Sequence, residues 1–272
     1  TSVTASNQTR QTAETSGVTV GGLVAVGANL ASAGANSVTL ASIENSNTGS
    51  VGAALTVLAT GDDRTHADAV AGSGGIIGGA AASASTRNLS DTQALLGGGT
   101  TADALTTAAW GRIEVRADHT ATFNTRVDSL AAGVVGASGA LADNDIDARV
   151  VAGILAGANL RTWDLDVSAL NQTRKPWITR VEGGRTVDVF NVFAGAGGLA
   201  GGAAGSSTTQ VDNIKRVDVG DGAQVGVQGD PDNAGRTRFN AVSDLILRDR
   251  SKLEAGGAIS AADAESIIEV NA

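Results

Sequence analysis

The chain has 272 residues, among them 37 Gly and 49 Ala, with two Pro and no Cys, Met or Tyr. This composition excludes collagen, a disulfide scaffold and a Pro-rich linker. The formal charge of −9 argues against nucleic acid or an anionic membrane as a partner. The absence of Met predicts a piece of a longer chain or a processed mature form.

A short strand pattern, Val-x-Ala, recurs along the chain at intervals of 54, 58 and 52 residues, as Val3–Ala5, Val57–Ala59, Val115–Ala117 and Val167–Ala169. The first and fourth copies both continue with Asn-Gln-Thr-Arg. Apolar and polar residues alternate around these copies, which is typical of half-buried strands. Units of 52–58 residues therefore predict a β-solenoid.

A run rich in Gly and Ala follows each copy, at residues 21–28, 74–80, 132–137 and 195–205. Such runs disfavour helices, since each interior Gly costs about 1 kcal/mol. The fourth run comes late, which predicts an insertion near residues 174–187. A second insertion is expected near residues 225–240, and the final third has no unique register.

Each unit fits either three coils of roughly 18 residues or two of roughly 27. With strands stacked about 4.8 Å apart, either choice predicts a rod roughly 50–70 Å long. The whole chain, residues 1–272, is interpreted as a single solenoid segment.

The repeat combines a Gly/Ala run, a strand pair, a turn such as Gly220–Ala223 or Glu254–Gly257, and then Val-x-Ala. This pattern resembles the repeat regions of large bacterial secreted exoproteins, the β-helical haemagglutinin and leukotoxin-like adhesins of autotransporter or two-partner secretion. The resemblance implies an all-β fold, a right-handed parallel β-solenoid. It also implies an extracellular or cell-surface location and an adhesive or structural role without catalytic residues.

The leading hypothesis is a non-enzymatic rod or adhesin shaft of a bacterial surface protein. One alternative is the subunit of an extracellular filament that assembles end to end, and another is a β-helical polysaccharide-degrading enzyme. The expected partners are a second copy at the terminal coils or a host or matrix surface. Three uncharged stretches, at residues 15–43, 69–86 and 189–211, are too rich in polar residues to predict membrane insertion.

The first insertion supplies the only predicted binding residues, Lys175, Trp177 and Arg180. Aromatic and Arg side chains on a protruding loop are typical recognition anchors. Trp110 and Trp163, which precede repeat strands, are interpreted as core or corner fillers. No catalytic residue, cofactor or metal ligand is predicted.

Other patterns receive structural interpretations. Gly195-x-Gly197-x-x-Ala200 resembles a dinucleotide fingerprint but recurs as a repeat feature. Asp143, Asp145 and Asp147 lack the Gly and Glu of a calcium loop and are interpreted as a solvated turn, although adventitious calcium stays open. His66 and His119 are interpreted as surface turn residues, and a Ser-His-Asp triad of separated residues also stays open.

Overall fold

The structure is a computed structural model that describes residues 1–50, 54–103, 111–228 and 234–271. Trp110 and residues 229–233 of the second insertion lie outside the described residues. The described residues form five successive turns of chain, of which the first four contribute strands to the same three sheets and the fifth contributes strands to two of them.

The strands follow one another in a repeated order of long, long and short. Turn 1 contains β1 (Ser2–Val20), β2 (Val24–Glu44) and β3 (Asn47–Ser50), and turn 2 contains β4 (Ala54–Gly74), β5 (Ile77–Gly97) and β6 (Thr101–Asp103). Turn 3 contains β7 (Arg112–Ala132), β8 (Val135–Ile154) and β9 (Asn159–Thr162). Turn 4 contains β10 (Asp164–Lys175), β11 (Ile178–Glu182), β12 (Arg185–Val189), β13 (Val192–Gly197), β14 (Ala200–Val219) and β15 (Gln224–Val227). Turn 5 contains β16 (Arg236–Leu247), β17 (Ser251–Gly256) and β18 (Ile259–Asn271).

Equivalent strands of successive turns pair in parallel and build three sheets. Sheet A contains β1, β4, β7, β10, β13, β16 and β17, sheet B contains β2, β5, β8, β14 and β18, and sheet C contains β3, β6, β9 and β15. The fold is therefore all-β with parallel sheets, as predicted. Among the described residues, no helix is long and apolar enough to cross a membrane.

The Val-x-Ala repeat forms one row of stacked residues across sheet A. Val3 pairs with Val57, Val57 with Val115, and Val115 with Val167. Val167 in turn pairs with Phe239, so Phe239-Asn240-Ala241 is a fifth copy that the sequence pattern missed. The predicted unit length is confirmed by this register.

The expected coil size is wrong, because one sequence unit makes one turn rather than two or three. Strands of 21 residues, such as β4 and β5, extend about 70 Å at the usual rise per residue. Five turns stacked at the strand spacing span only about 20 Å along the axis. The segment is consequently wide and short, and the expected rod of 50–70 Å is not formed by these turns.

The first insertion is an antiparallel hairpin of β11 and β12, which pairs Ile178 with Val189 and Glu182 with Arg185. It interrupts the sheet A strand of turn 4, since β10 and β13 both pair with β7. The second insertion follows β15, whose last residue Val227 pairs with Thr162. Asp164, which pairs with Arg236, comes only two residues after Thr162, so the extra residues lie between 227 and 236.

Glycine occupies the corner between sheets A and B in every turn. The stacked corner residues are Gly21, Gly75, Gly133, Gly198 and Gly257. A Cβ atom on Gly133 would lie 2.6 Å from the Gly75 carbonyl oxygen, and one on Gly257 would lie 2.5 Å from that of Gly198. Close approach of one turn to the next therefore requires glycine here.

Inward-facing side chains of sheets A and B fill the space between the sheets in three zones. Beside the A–B corner, the narrow zone is mostly Ala, including Ala69, Ala82 and Ala140. Beside sheet C, the wide zone contains Leu, Ile and Val, such as Leu55, Ile113 and Leu160. A belt of buried polar residues separates the two zones, formed by Ser37, Asp63, Asn88, Ser90, Thr92, His119, Asn144, Asn171, Thr173, Lys175, Thr209 and Asn213.

Candidate recognition site at the hairpin insertion

The hairpin turns through two glycines, Gly183 and Gly184, whose φ angles are 56° and 78°. Positive φ at both central residues is the requirement of the two-residue turn that matches the twist of antiparallel strands, and glycine meets it without steric cost. The sequence Glu182-Gly183-Gly184-Arg185 thus folds locally into a hairpin at the point where sheet A is interrupted.

Lys175 does not belong to an exposed recognition surface, which corrects the prediction. Its side chain is fully buried, and Nζ lies 3.3 Å from Asp249 Oδ2 and donates a hydrogen bond of 2.9 Å to Thr209 Oγ1. Burial lowers the pKa of Lys175, and Asp249 opposes that shift. Lys175 therefore joins turn 4 to turn 5 inside the polar belt.

Trp177 lies at the base of the hairpin beneath two guanidinium groups. The Cζ atoms of Arg248 and Arg250 lie 5.7 and 5.4 Å from its ring centroid. Phe190, at the other end of the hairpin, is covered by Arg250 at 5.3 Å and by Lys252 at 5.7 Å. These distances are within the range of cation–π attraction, so the two rings anchor the hairpin to turn 5.

Arg180 lies on β11, away from that anchor in the chain, and forms an ion pair with Glu182 two residues along. Its side chain is 59% exposed. Burial raises the pKa of Asp128 on β7, and the charges of Arg126 and, more weakly, of Arg180 oppose that shift. The three predicted residues thus divide into a buried lysine, a half-buried tryptophan and an exposed arginine.

The cations over the rings come from turn 5 and were not predicted. Arg248, Arg250 and Lys252 occur at alternate positions, and this spacing places side chains on one face of an extended chain. This alternation is the sequence pattern that could have identified the three cations as one cluster. Arg250 also donates to Asp188 Oδ2 at 3.0 Å, and Lys252 pairs with Glu254 at 2.5 Å.

Two aromatic rings and three cations come together here, on a chain whose formal charge is −9. The side chains of Arg250 and Lys252 are 40% and 45% exposed. Guanidinium groups positioned over aromatic rings can still donate hydrogen bonds to carboxylate or sulfate groups. We call Trp177, Phe190, Arg248, Arg250 and Lys252 the hairpin cluster.

A hydroxyl, an imidazole and a carboxylate do come together elsewhere, in the polar belt. His119 Nδ1 lies 3.2 Å from Thr92 Oγ1, and Nε2 lies 3.7 Å from Asp63 Oδ2. Ser37 donates a hydrogen bond of 2.6 Å to the same carboxylate oxygen. Each of Thr92, His119 and Asp63 is 1% exposed, so the group is closed to substrates and holds the two sheets together.

His119 is consequently a strand residue of the interior and not the surface turn residue that was expected. Burial lowers its pKa, and Asp63 and Asp62 act in the opposite direction. Gly61, its neighbour in the same row, has no side chain because a Cβ would lie 2.5 Å from His119 Nδ1.

The remaining patterns also lie in strands. Gly195 and Gly197 belong to β13, and the chain continues from Ala200 as strand β14, so no helix follows the dinucleotide-like run. The interpretation as a repeat feature is confirmed. Asp143, Asp145 and Asp147 share the outer face of β8 and are not in a turn. The described residues contain no group of three or more acidic, His or Cys side chains suited to a metal ion.

Comparisons with known proteins identify no relative. No family model, no curated protein and no solved structure matches this chain.

Proposed function

We propose that this chain is a non-enzymatic structural segment, a right-handed parallel β-solenoid that serves as a rod or adhesin shaft of a bacterial extracellular surface protein. The observation that carries the proposal is the shared register of five turns, in which the Val-x-Ala row and the corner glycines repeat without slippage. Each added turn pairs its backbone with the preceding one and lengthens the rod by about 4.8 Å.

Other arguments support the right-handed coil of the solenoid and the extracellular location of the protein. Parallel strands connected through another sheet adopt the right-handed crossover in about 98% of known cases. The extracellular location follows from the resemblance of the repeat to secreted exoproteins. A chain with no Cys also suits passage through an outer-membrane pore, because no disulfide can form early.

The hairpin cluster is the part of this shaft best suited to a host or matrix surface. Its cations are anchored on rings and partly exposed, whereas the chain as a whole carries a formal charge of −9. The ligand chemistry that fits is a carboxylated or sulfated polymer.

Immunogold electron microscopy with an antibody against this chain tests the proposal. We expect gold on projections of intact producing bacteria, and loss of that signal after external protease treatment. Gold that appears only after the cells are permeabilised would refute the extracellular shaft. Turnover of neutral or acidic polysaccharides by the purified chain would instead support the enzyme alternative.

End-to-end assembly is a second candidate, favoured by the open face of turn 5. Phe239, Ile268 and Val270 are 48%, 42% and 44% exposed. Their partners in turn 4, Val167, Thr209 and Val211, are fully buried. Sedimentation velocity should then show an open-ended series of oligomers, and Ile268→Lys should abolish it. A wild-type chain without such a series at high concentration would dismiss this candidate.

A further inference from the structure

The four Gly/Ala runs and the equivalent segment of turn 5, which begins Gly256-Gly257-Ala258, converge on one edge of the molecule, the corner between sheets A and B. We define the A–B edge as residues 20–26, 74–79, 132–137, 197–202 and 256–261. These segments contain no charged residue. Their large side chains are nevertheless exposed, from 46% at Val135 to 83% at Val20, and the set is Val20, Leu23, Val24, Val26, Ile76, Ile77, Val134, Val135, Leu199 and Ile259.

This apolar surface is larger than a soluble monomer usually shows. Ten exposed Leu, Ile and Val side chains in one continuous patch reach or exceed the roughly 300–600 Å² of the largest patch on a typical monomer. They approach the roughly 800 Å² that each partner buries in a standard interface. The A–B edge therefore has the area that a stable dimer needs.

The backbone of the edge is already satisfied. Gly75 N donates to the Ala132 carbonyl oxygen at 3.2 Å, and Val134 N donates to that of Ile76 at 2.8 Å. Leu199 N donates to the Val134 carbonyl oxygen at 2.8 Å in the same way. Since these groups bond from turn to turn, excluding water from the edge leaves few polar groups without partners.

The outer face of sheet B carries a ridge and a trough that run side by side along the axis. The ridge is the row Val24, Ile77, Val135, Ala200 and Ile259. Four residues further along each strand lies the trough, about 560 Å³ in volume, whose floor is the small-residue row Ala28, Ala81, Gly139 and Ala204 in turns 1–4 and Asp263 in turn 5. Its far side is the row Leu30, Ser83, Leu141, Ser206 and Glu265, so in turn 5 the trough is lined by two acidic residues.

We propose that the A–B edge docks against the same edge of a second copy of this chain, with the ridge of each copy in the trough of the other. In turns 1–4 the ridge and the small-residue trough run side by side in the same direction, which makes this surface self-complementary, as a twofold interface requires. The exposed carboxylates Asp263 and Glu265 lie at the turn-5 end of the trough. A membrane is the poorer occupant, because the five edge segments contain no Lys, Arg or Trp, the residues that interfacial membrane binders use.

This docking fixes the symmetry. Placing each ridge in the opposite trough requires a twofold axis parallel to the stacking direction, so each turn lies beside the same turn of its partner. The axis then passes over the row midway between ridge and trough, which contains Val26, Gly79, Ala137 and Gly202. Ala137 of one copy faces Ala137 of the other.

A charge placed on the ridge tests the contact. Val24→Lys is compared with Val38→Lys, because both valines lie on the outer face of β2 and are 60% and 70% exposed. In sedimentation equilibrium we expect wild type and Val38→Lys to dimerise alike. Val24→Lys should dimerise at least about tenfold more weakly, since its ammonium group would be buried without a partner. Equal behaviour of the two variants would overturn the proposal.

A cysteine cross-link tests the symmetry, and the chain contains no native Cys to confuse it. With a short bis-maleimide linker Ala137→Cys should form a covalent dimer, since sheets packed face to face lie about 10 Å apart and the two Ala137 positions lie opposite each other. Val38→Cys, about 40 Å away along the strand rows, should stay monomeric on a denaturing gel. Equal cross-linking of both variants would show random collision and refute the geometry.

Two further outcomes would also refute a second copy as the occupant. One is a wild-type chain that stays monomeric at hundreds of micromolar. The other is a monomer that floats with phosphatidylcholine vesicles and loses that binding in Val24→Lys. Neither outcome bears on the shaft proposal, which depends on turn-to-turn stacking and on location at the cell surface.

Discussion

The narrow and wide zones of the interior are built by the same strands but with different side chains. On β4, Leu55, Val57 and Ala59 face the wide zone, and Ala67 and Ala69 face the narrow one. All five are completely buried. Since interiors are close-packed, sheets A and B must lie closer together where both contribute alanine. Side-chain volume along one strand therefore sets the separation of the sheets, from the A–B corner to sheet C.

We expect the largest loss of stability from a substitution in the polar belt between these zones. Lys175→Met should destabilise the fold by about 3–5 kcal/mol, because it leaves the buried Asp249 carboxylate without its ion-pair partner. Urea denaturation followed by circular dichroism measures this loss.

The double variant Lys175→Met, Asp249→Leu is the control. It should recover most of the stability, since an apolar pair of similar size replaces the ion pair. A single variant as stable as wild type would show that the belt contributes nothing to holding turn 5.

The wide zone should respond to lost volume. Ile113 is fully buried there, and Ile113→Ala should cost about 2–5 kcal/mol because the long strands cannot collapse onto the cavity. Leu40→Ala, on the outer face of β2 where Leu40 is 52% exposed, is the matched control and should cost far less. The urea midpoints of the two variants, each compared with wild type, measure this difference in stability.

The narrow zone should respond to added volume instead. Ala140 is fully buried between the sheets, and Ala140→Leu should destabilise by about 1–3 kcal/mol through overpacking. If the narrow zone were as wide as the other, the same substitution would fill space and stabilise the protein. The sign of the change in thermal midpoint decides between the two.

His119 in the belt should produce the smallest effect, visible as pH dependence. Its folded pKa is lowered by burial, so its contribution to stability is fully present above the unfolded pKa of about 6.5 and is lost as pH falls below it. His119→Asn, which copies Asn171 in the same row, should reduce the loss of stability between pH 7.5 and 5.5. An unchanged pH profile would show that His119 does not titrate in this window.

The correct positions of several wrongly predicted residues could have been derived from the sequence. Lys175 lies eight residues after Val167 and six after Ala169, and residues an even number apart share one face of a strand. Extending the predicted strand by six residues would therefore have placed Lys175 inward. Asp143, Asp145 and Asp147 were interpreted as a turn, but they lie in a strand, where their alternate spacing places them on one face. Polar residues in mid-strand suggested turns because a buried polar belt is uncommon, and its partners lie on other turns.

The unit length and the rows that stack could be derived from the amino-acid sequence, because a solenoid places equivalent residues of successive units in contact and so repeats them. The number of turns that each unit makes could not, because it depends on how the strands pack. Alternation of period two continues unchanged through strands of any length, and Gly pairs occur both at corners and within strands, as Gly78-Gly79 does in β5. The packing of sheet A against sheet B buries Lys175 and His119 and leaves the A–B edge exposed. This packing depends on contacts between distant parts of the chain.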